Sequence, residues 1–201
     1  EIDTLYGDID WDAEISENDA GLILGHITGE TSLSQLQQAT GDVSNSQSLT
    51  PFDASLLLQY LSGNIEDIPI SNLSSYAGNG NLSAPQVFGE EGEIITIPIS
   101  LVEANNLFSF TLSFEYNDAN LESGSIYTDA ISEHGFMIES TVTDSGSIIV
   151  AGASHTPFNG ETLLFNLYFI PTTFEDGYTI IECTQFMLNE TETISSENFH
   201  I

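Results

Sequence analysis

An ungapped internal repeat constrains this 201-residue chain more than any other feature. The stretch GDIDWDAEISENDAGLILGHITG begins at Gly7, and GDVSNSQSLTPFDASLLLQYLSG begins at Gly41. Each copy runs Gly-Asp, a polar loop, an aliphatic residue, an Asp, an apolar stretch and a closing Gly. Self-similarity at a fixed spacing marks a supersecondary unit built twice.

The polar loop has the spacing of an EF-hand-type calcium loop, which offers oxygen at positions 1, 3, 5, 7, 9 and 12 of about 12 residues. Counted from Asp8, the first copy supplies Asp8, Asp10, Asp12, the carbonyl of Glu14, Ser16 through water, and Asp19. Ile15, at position 8, points away from the ion. Ala13 stands at position 6, where a sharp turn favours glycine. Counted from Asp42, the second copy supplies Asp42, Ser44, Ser46, the carbonyl of Ser48, Thr50 at the water position, and Asp53, with Leu49 in the aliphatic slot. Two carboxylates in place of four predict weaker calcium binding there, or a vacant loop. Asp and Ser also cap helices, so two capped turns without metal would use the same residues.

Each loop leads into a predicted amphipathic helix. Asn18–Ile27 places Leu22, Ile23 and Ile27 on one side, and Pro51–Leu61 places Leu56, Leu57, Tyr60 and Leu61 together. Pro51 at a start and Gly29 and Gly63 past the ends fit helix punctuation. A short helix is expected over Ser32–Ala39. Residues 69–85, rich in Ser, Asn and Gly, read as a linker, flexible or laid along a surface. Beyond Pro85 the runs EIITIPISL, LFSFTLSFEY, SIIVAGA, TLLFNLYFI and YTIIECTQFML are β-branched and aromatic and lie between Gly, Asn and Asp turns. Many strands without a long helix between them predict an antiparallel β-sandwich of jelly-roll type. The expected fold is therefore a small all-α, EF-hand-like calcium domain over residues 1–68 followed by a β-sandwich over 86–201.

Charge narrows the function. The chain has 31 Asp and Glu and no Lys or Arg, a formal net charge of -31. Nucleic acids and anionic membranes need cationic side chains to neutralise phosphates, and neither is expected as a partner. Phosphoryl transfer, which leans on Lys or Arg, is disfavoured too. Self-repulsion of this size calls for counterions, and clustered carboxylates favour divalent ones. Cys183 is the single cysteine, so no internal disulfide can form, and its strand-like setting suggests a small buried hydrophobe. His26, His134, His155 and His200 show no paired metal spacing. The sequons at Asn72, Asn81 and Asn189 are candidate glycosylation acceptors. The chain starts at Glu1 without a basic-then-apolar leader, so a signal peptide either has been removed or lies outside this sequence.

The loop-plus-helix repeat, with Asp rather than Glu at position 12, resembles the dockerin family over residues 6–68. The resemblance implies docking through helix faces, at Glu17, Asn18, Leu24 and Gly25 in the first copy and at Pro51, Phe52, Leu58 and Gln59 in the second. The second, more hydrophobic set, with Phe52 as anchor, is the one expected to face a partner. The phrase Gly92–Ile99 (GEIITIPI), the long strand Leu107–Tyr116 running into Asn117-Asp118 and Leu121, and a closing Asn198–Ile201 resemble a cohesin. Both halves of a docking pair in one chain imply a secreted, extracellular or cell-surface structural protein that binds another copy of itself and polymerises head to tail. An adaptor between cohesin- and dockerin-bearing proteins is an alternative. A carbohydrate-binding module using Tyr6, Trp11, Tyr76 or Tyr127 is another. No catalytic residues are expected, because the carboxylates with defined spacing are better explained as calcium ligands.

Overall fold

The computed structural model describes residues 5–70, 72–143, 145–172, 179–192 and 198–200. Its N-terminal part holds three helices, α1 (Glu17–Thr28), α2 (Gln35–Gly41) and α3 (Pro51–Leu61). A helix leaves its first amides without partners. Here Ser16, Ser34 and Thr50 cap them, while Asp19, Gln37 and Asp53 reach back to the caps' own amides. The glycines that open the repeat are places of close approach. A side chain on Gly7 would meet Leu57 of the second copy at 2.7 Å, and one on Gly41 would meet Ile9 of the first at 3.1 Å. Each copy thus seats its apolar residues against the other's glycine, which explains why Gly-Asp recurs at both loop entrances.

The rest is antiparallel β-structure: β1 (Asn79–Ser83), β2 (Ile95–Tyr116), β3 (Leu121–Tyr127), β4 (Met137–Val142), β5 (Ser147–Pro171), β6 (Ile180–Leu188), β7 (Thr191–Glu192) and β8 (Asn198–His200). A single helical turn, α4 (Asp129–Ser132), precedes β4. β2 and β5 are long enough to serve both layers of a sandwich. Their register slips between Ile99 and Ser109, where Glu103 and Asn106 take positive φ, and this irregularity lets each strand turn from one layer into the other. The first half of β2 pairs with β1 and with the second half of β5, which β3 flanks; the second half of β2 lies between β6 and the first half of β5, with β4 outside. Phe114 meets Phe165 edge-on at 6.1 Å, joining the layers across a core that also contains Ile97, Ile99, Phe110, Leu112 and Phe169. Cys183 is buried in that core, as its setting suggested, with its thiol directed to the Gln185 carbonyl.

Residues 69–85 do not form a plain linker. Tyr76 sits in a 3-10 turn over Ser74–Tyr76, and Asn79–Ser83 is a strand with Leu82 buried in the sandwich core. The segment NGNLS shows no alternation of its own because an edge strand with one inward residue carries almost no periodic signal. The helical unit and the sandwich also share a second core, in which Ile23, Leu24, Phe52, Leu56 and Leu57 pack with Phe108, Ala151 and Ala153. The helices therefore lie on the sandwich of their own chain, an arrangement that spacing and composition left open.

Candidate functional site

In the first loop the carboxylates of Asp8, Asp10 and Asp19 converge, with oxygens within 4.8 Å of one another. Backbone amides hold them there. Asp8 accepts from Asp12 and Ala13 at 3.1 Å, and Asp19 accepts from Ile9 at 2.7 Å and Ser16 at 2.8 Å. Asp10 accepts from the Asn18 side chain at 2.7 Å. Asp12 and Glu14 are exposed on the rim, where Asp12 accepts the Glu14 amide at 2.8 Å. Three converging carboxylate ligands suit a hard, oxygen-seeking cation such as calcium.

Trp11 and Ala13, at positions 4 and 6, have φ of 62° and 73°; Asn45 and Gln47 of the second loop have 58° and 72°. The two loops thus share one backbone course in spite of different side chains. A non-glycine residue in this region is strained by about 1 kcal/mol. Ala13→Gly is accordingly expected to raise stability by about 1 kcal/mol, read as an upward shift in the thermal midpoint.

The second loop satisfies its polar groups internally. Asp42 accepts the amides of Ser46 and Gln47 at 2.9 Å, and the Ser46 hydroxyl donates to the Ser48 carbonyl at 3.0 Å, occupying the oxygen that position 7 would offer. Asp53 accepts from the Ser44 amide at 2.9 Å and the Thr50 amide at 2.8 Å. Burial pushes the Asp53 carboxyl up to about 7; those amides oppose the shift and Glu190 adds to it. Among the described residues, only the first loop gathers three ligating carboxylates.

The residues expected to meet a partner divide between rim and seam. Glu17 and Asn18 are exposed, whereas Leu24 and Gly25 are buried. Pro51, Phe52, Leu58 and Gln59 are all buried on α3, which packs against α1, β5 and β2. The Ser55 hydroxyl donates to the Ser154 carbonyl at 2.7 Å and receives the Gln59 amide at 3.1 Å. The Thr50 hydroxyl donates to Glu190 at 3.1 Å. Phe52 meets the Tyr76 ring at 5.2 Å, and Tyr76 meets Phe108 at 5.3 Å, both edge-on. Sequence alone gave no hint of Ser55, Phe108, Ser154 or Glu190, because nothing local marks a strand residue as facing a distant helix.

Two sequon residues, Asn72 and Asn81, are exposed. Asn189 is not available for a glycan: it is 2% exposed, its side-chain oxygen accepts the amides of Phe108 at 2.8 Å and Ser109 at 3.0 Å, and its amide donates to the carbonyls of Tyr76 and Asn106. Of the aromatics weighed as sugar platforms, Tyr6 and Trp11 are exposed in the stretch before α1, Tyr127 is exposed at the end of β3, and Tyr76 is committed to the seam.

Glu139 of β4 faces Glu30, just past α1. Burial raises the Glu139 pKa, and the Glu30 charge and a carboxyl–carboxylate hydrogen bond raise it further. A folded pKa above the unfolded one means that the stabilisation is complete below the ordinary glutamate range and is lost as pH rises through the folded value. Glu139→Gln keeps a donor toward Glu30 and removes the ionisation. It is expected to raise the thermal midpoint over the parent at pH 7 and to leave little difference near pH 4.

No protein-family model matches the chain, and no curated protein matches it. Among solved structures it is similar to a non-cellulosomal cohesin from the hyperthermophilic archaeon Archaeoglobus fulgidus, with a TM-score of 0.51 and 17% identity over 60% of this chain and 88% of that one. The sandwich has a cohesin-like fold. The sixth cohesin of Acetivibrio cellulolyticus scaffoldin B, in complex with a mutant dockerin, matches with a TM-score of 0.48 and 17% identity over 60% of this chain and 96% of that one. A cohesin module from a Clostridium perfringens family 33 glycoside hydrolase matches with a TM-score of 0.47 and 15% identity over 61% and 94%.

Proposed function

We propose that this chain is an extracellular, non-enzymatic assembly protein in which a calcium-ordered, dockerin-like helical unit acts as a plug. The outer face of β2, β5 and β4 of a cohesin-like sandwich acts as its socket. The partner is another copy of the chain, and repeated head-to-tail contacts give filaments. The observation that carries this reading is the fit of α3, buried without a break from Pro51 to Gln59 between α1 and the strands β5 and β2 of the sandwich. A plug on one face and a socket on another form a heterologous contact, which propagates unless its rotation closes a ring.

Calcium enters through the first loop. The loop sets the start of α1, and α1 packs against α3 and β4, so an ion held there stabilises the plug that carries the docking face. The ion also offsets part of the charge of -31 that copies must bring together. No helix among the described residues is long and apolar enough to cross a membrane.

Electron microscopy of the purified protein at high concentration, with calcium and with chelator, tests the reading. Filaments that form in calcium and disperse in chelator are the expected result. Discrete monomers in both would overturn it and favour an adaptor that joins other proteins.

A further inference from the structure

The plug and socket of one chain are already joined, so a filament needs a way for the contact to pass from one chain to the next. The segment between them shows where this can happen. Asn106 donates to the carbonyls of Ser75 at 3.0 Å and Ala77 at 3.2 Å, and Asn189 donates to that of Tyr76. Both asparagines are themselves fixed by the sandwich: the Asn106 amide donates to Asn159 at 2.9 Å, and Asn189 accepts the amides of Phe108 and Ser109. Three consecutive carbonyls are thus held by the sandwich. On the other side, the Ile70 amide donates to the Val43 carbonyl of the helical unit at 2.9 Å, and the Asn64 amide donates to Gln59 at 2.8 Å. Ile65, Ile68 and Ile70 pack on the second core with the helices.

Resting on the assembly reading above, we propose that the filament contact is an exchange: the helical unit leaves its own sandwich and seats on the same face of the next copy, with Asn72, Leu73 and Ser74 turning as the pivot. Tyr76 stays behind as part of the socket and presents its ring to the incoming Phe52. The occupant of the face is a second copy of this chain, because the surface seated there is the chain's own. No other covalent connection crosses the seam, so every contact across it can form equally between chains. The seam's flaws pass unchanged to the exchanged form as well. Ser109 and Thr111 bury hydroxyls that lack partners, and register places them opposite Ala153 and Ala151 of the socket. With equal contacts, the balance is set by effective concentration. A short tether holds its plug at roughly millimolar concentration. The closed monomer is therefore the form in dilute solution, and exchange takes over when chains are crowded to a comparable concentration.

The test joins Glu30→Cys and Glu139→Cys, which face each other across the seam, with a short bis-maleimide, in a Cys183→Ser background. A thermal midpoint that still responds to calcium confirms that the variant folds. In dilute solution nearly all cross-links are expected within single chains, and chains so locked should no longer grow filaments. Cross-linking after filaments have formed is expected to give a ladder of covalent multimers on a denaturing gel. Filaments whose chains carry only internal cross-links would overturn the exchange and leave the assembly reading standing. Failure to form filaments under any condition would overturn both.

Discussion

Replacing Asp19 with Ala is expected to cost about 3 kcal/mol of stability and to remove the thermal shift that calcium is expected to produce in the parent chain. The carboxylate is fully buried and has two tasks. It accepts the amides of Ile9 and Ser16, together with the Ser16 hydroxyl at 3.2 Å, and it closes the cap of α1. Losing the cap costs about 1 kcal/mol, and each buried donor left without a partner costs about 1–3 kcal/mol. Calcium held at 1,000 times its dissociation constant adds about 4 kcal/mol to the folded state, and this increment depends on the convergence of Asp8, Asp10 and Asp19. Thermal melts in calcium and in chelator separate the two effects. A variant that still melts higher in calcium would show that the ion sits elsewhere. Asp53→Ala probes the second copy: it should lower the midpoint through the same lost cap while leaving the calcium-dependent shift in place.

Phe52→Ala is expected to destabilise the closed chain by about 3–5 kcal/mol, the range for truncating a buried aromatic ring. Phe52 is completely buried, and its ring is one end of the row that continues through Tyr76 to Phe108. Removing it opens a void where the plug, the connecting turn and the socket meet. Calcium binding should survive, because the first loop lies in the other copy of the repeat. Calorimetry showing undiminished calcium uptake, alongside a melt in which the helical signal is lost before the sheet signal, is the expected pair of results. A single unchanged transition would mean that the seam contributes little. Filament formation should fail in this variant, since the exchanged contact uses the same ring.

The two variants follow the division between what was legible in the sequence and what was not. Loop spacing is local chemistry: a carboxylate at a set offset from Asp8 reaches the same point whatever surrounds it, so Asp8, Asp10 and Asp19 could be named from the repeat. The runs that form β2, β5 and β6 announced themselves by their β-branched and aromatic content, whereas β1, β3 and β4 did not; β1 has only Leu82 to bury. Asn189 shows the limit from the other direction. Its sequon is a three-residue pattern that says nothing of burial, whereas in the fold its side chain closes four hydrogen bonds around a bend in β2 and the Tyr76 turn.

The sequence by itself determined the duplicated Asp-bearing loops, the helices that follow them, the strand-rich second half and the absence of Lys and Arg, because each can be read from residues near one another in the chain or from composition. Only the tertiary structure decided that the helical unit lies on its own sandwich, that Phe52, Tyr76 and Phe108 form one row, and that the chain between the two parts is fixed at one end by Asn106 and Asn189. Those contacts join residues up to 140 positions apart. Their energy comes from burying surfaces that meet only after both parts have folded, so no local pattern of residues encodes them.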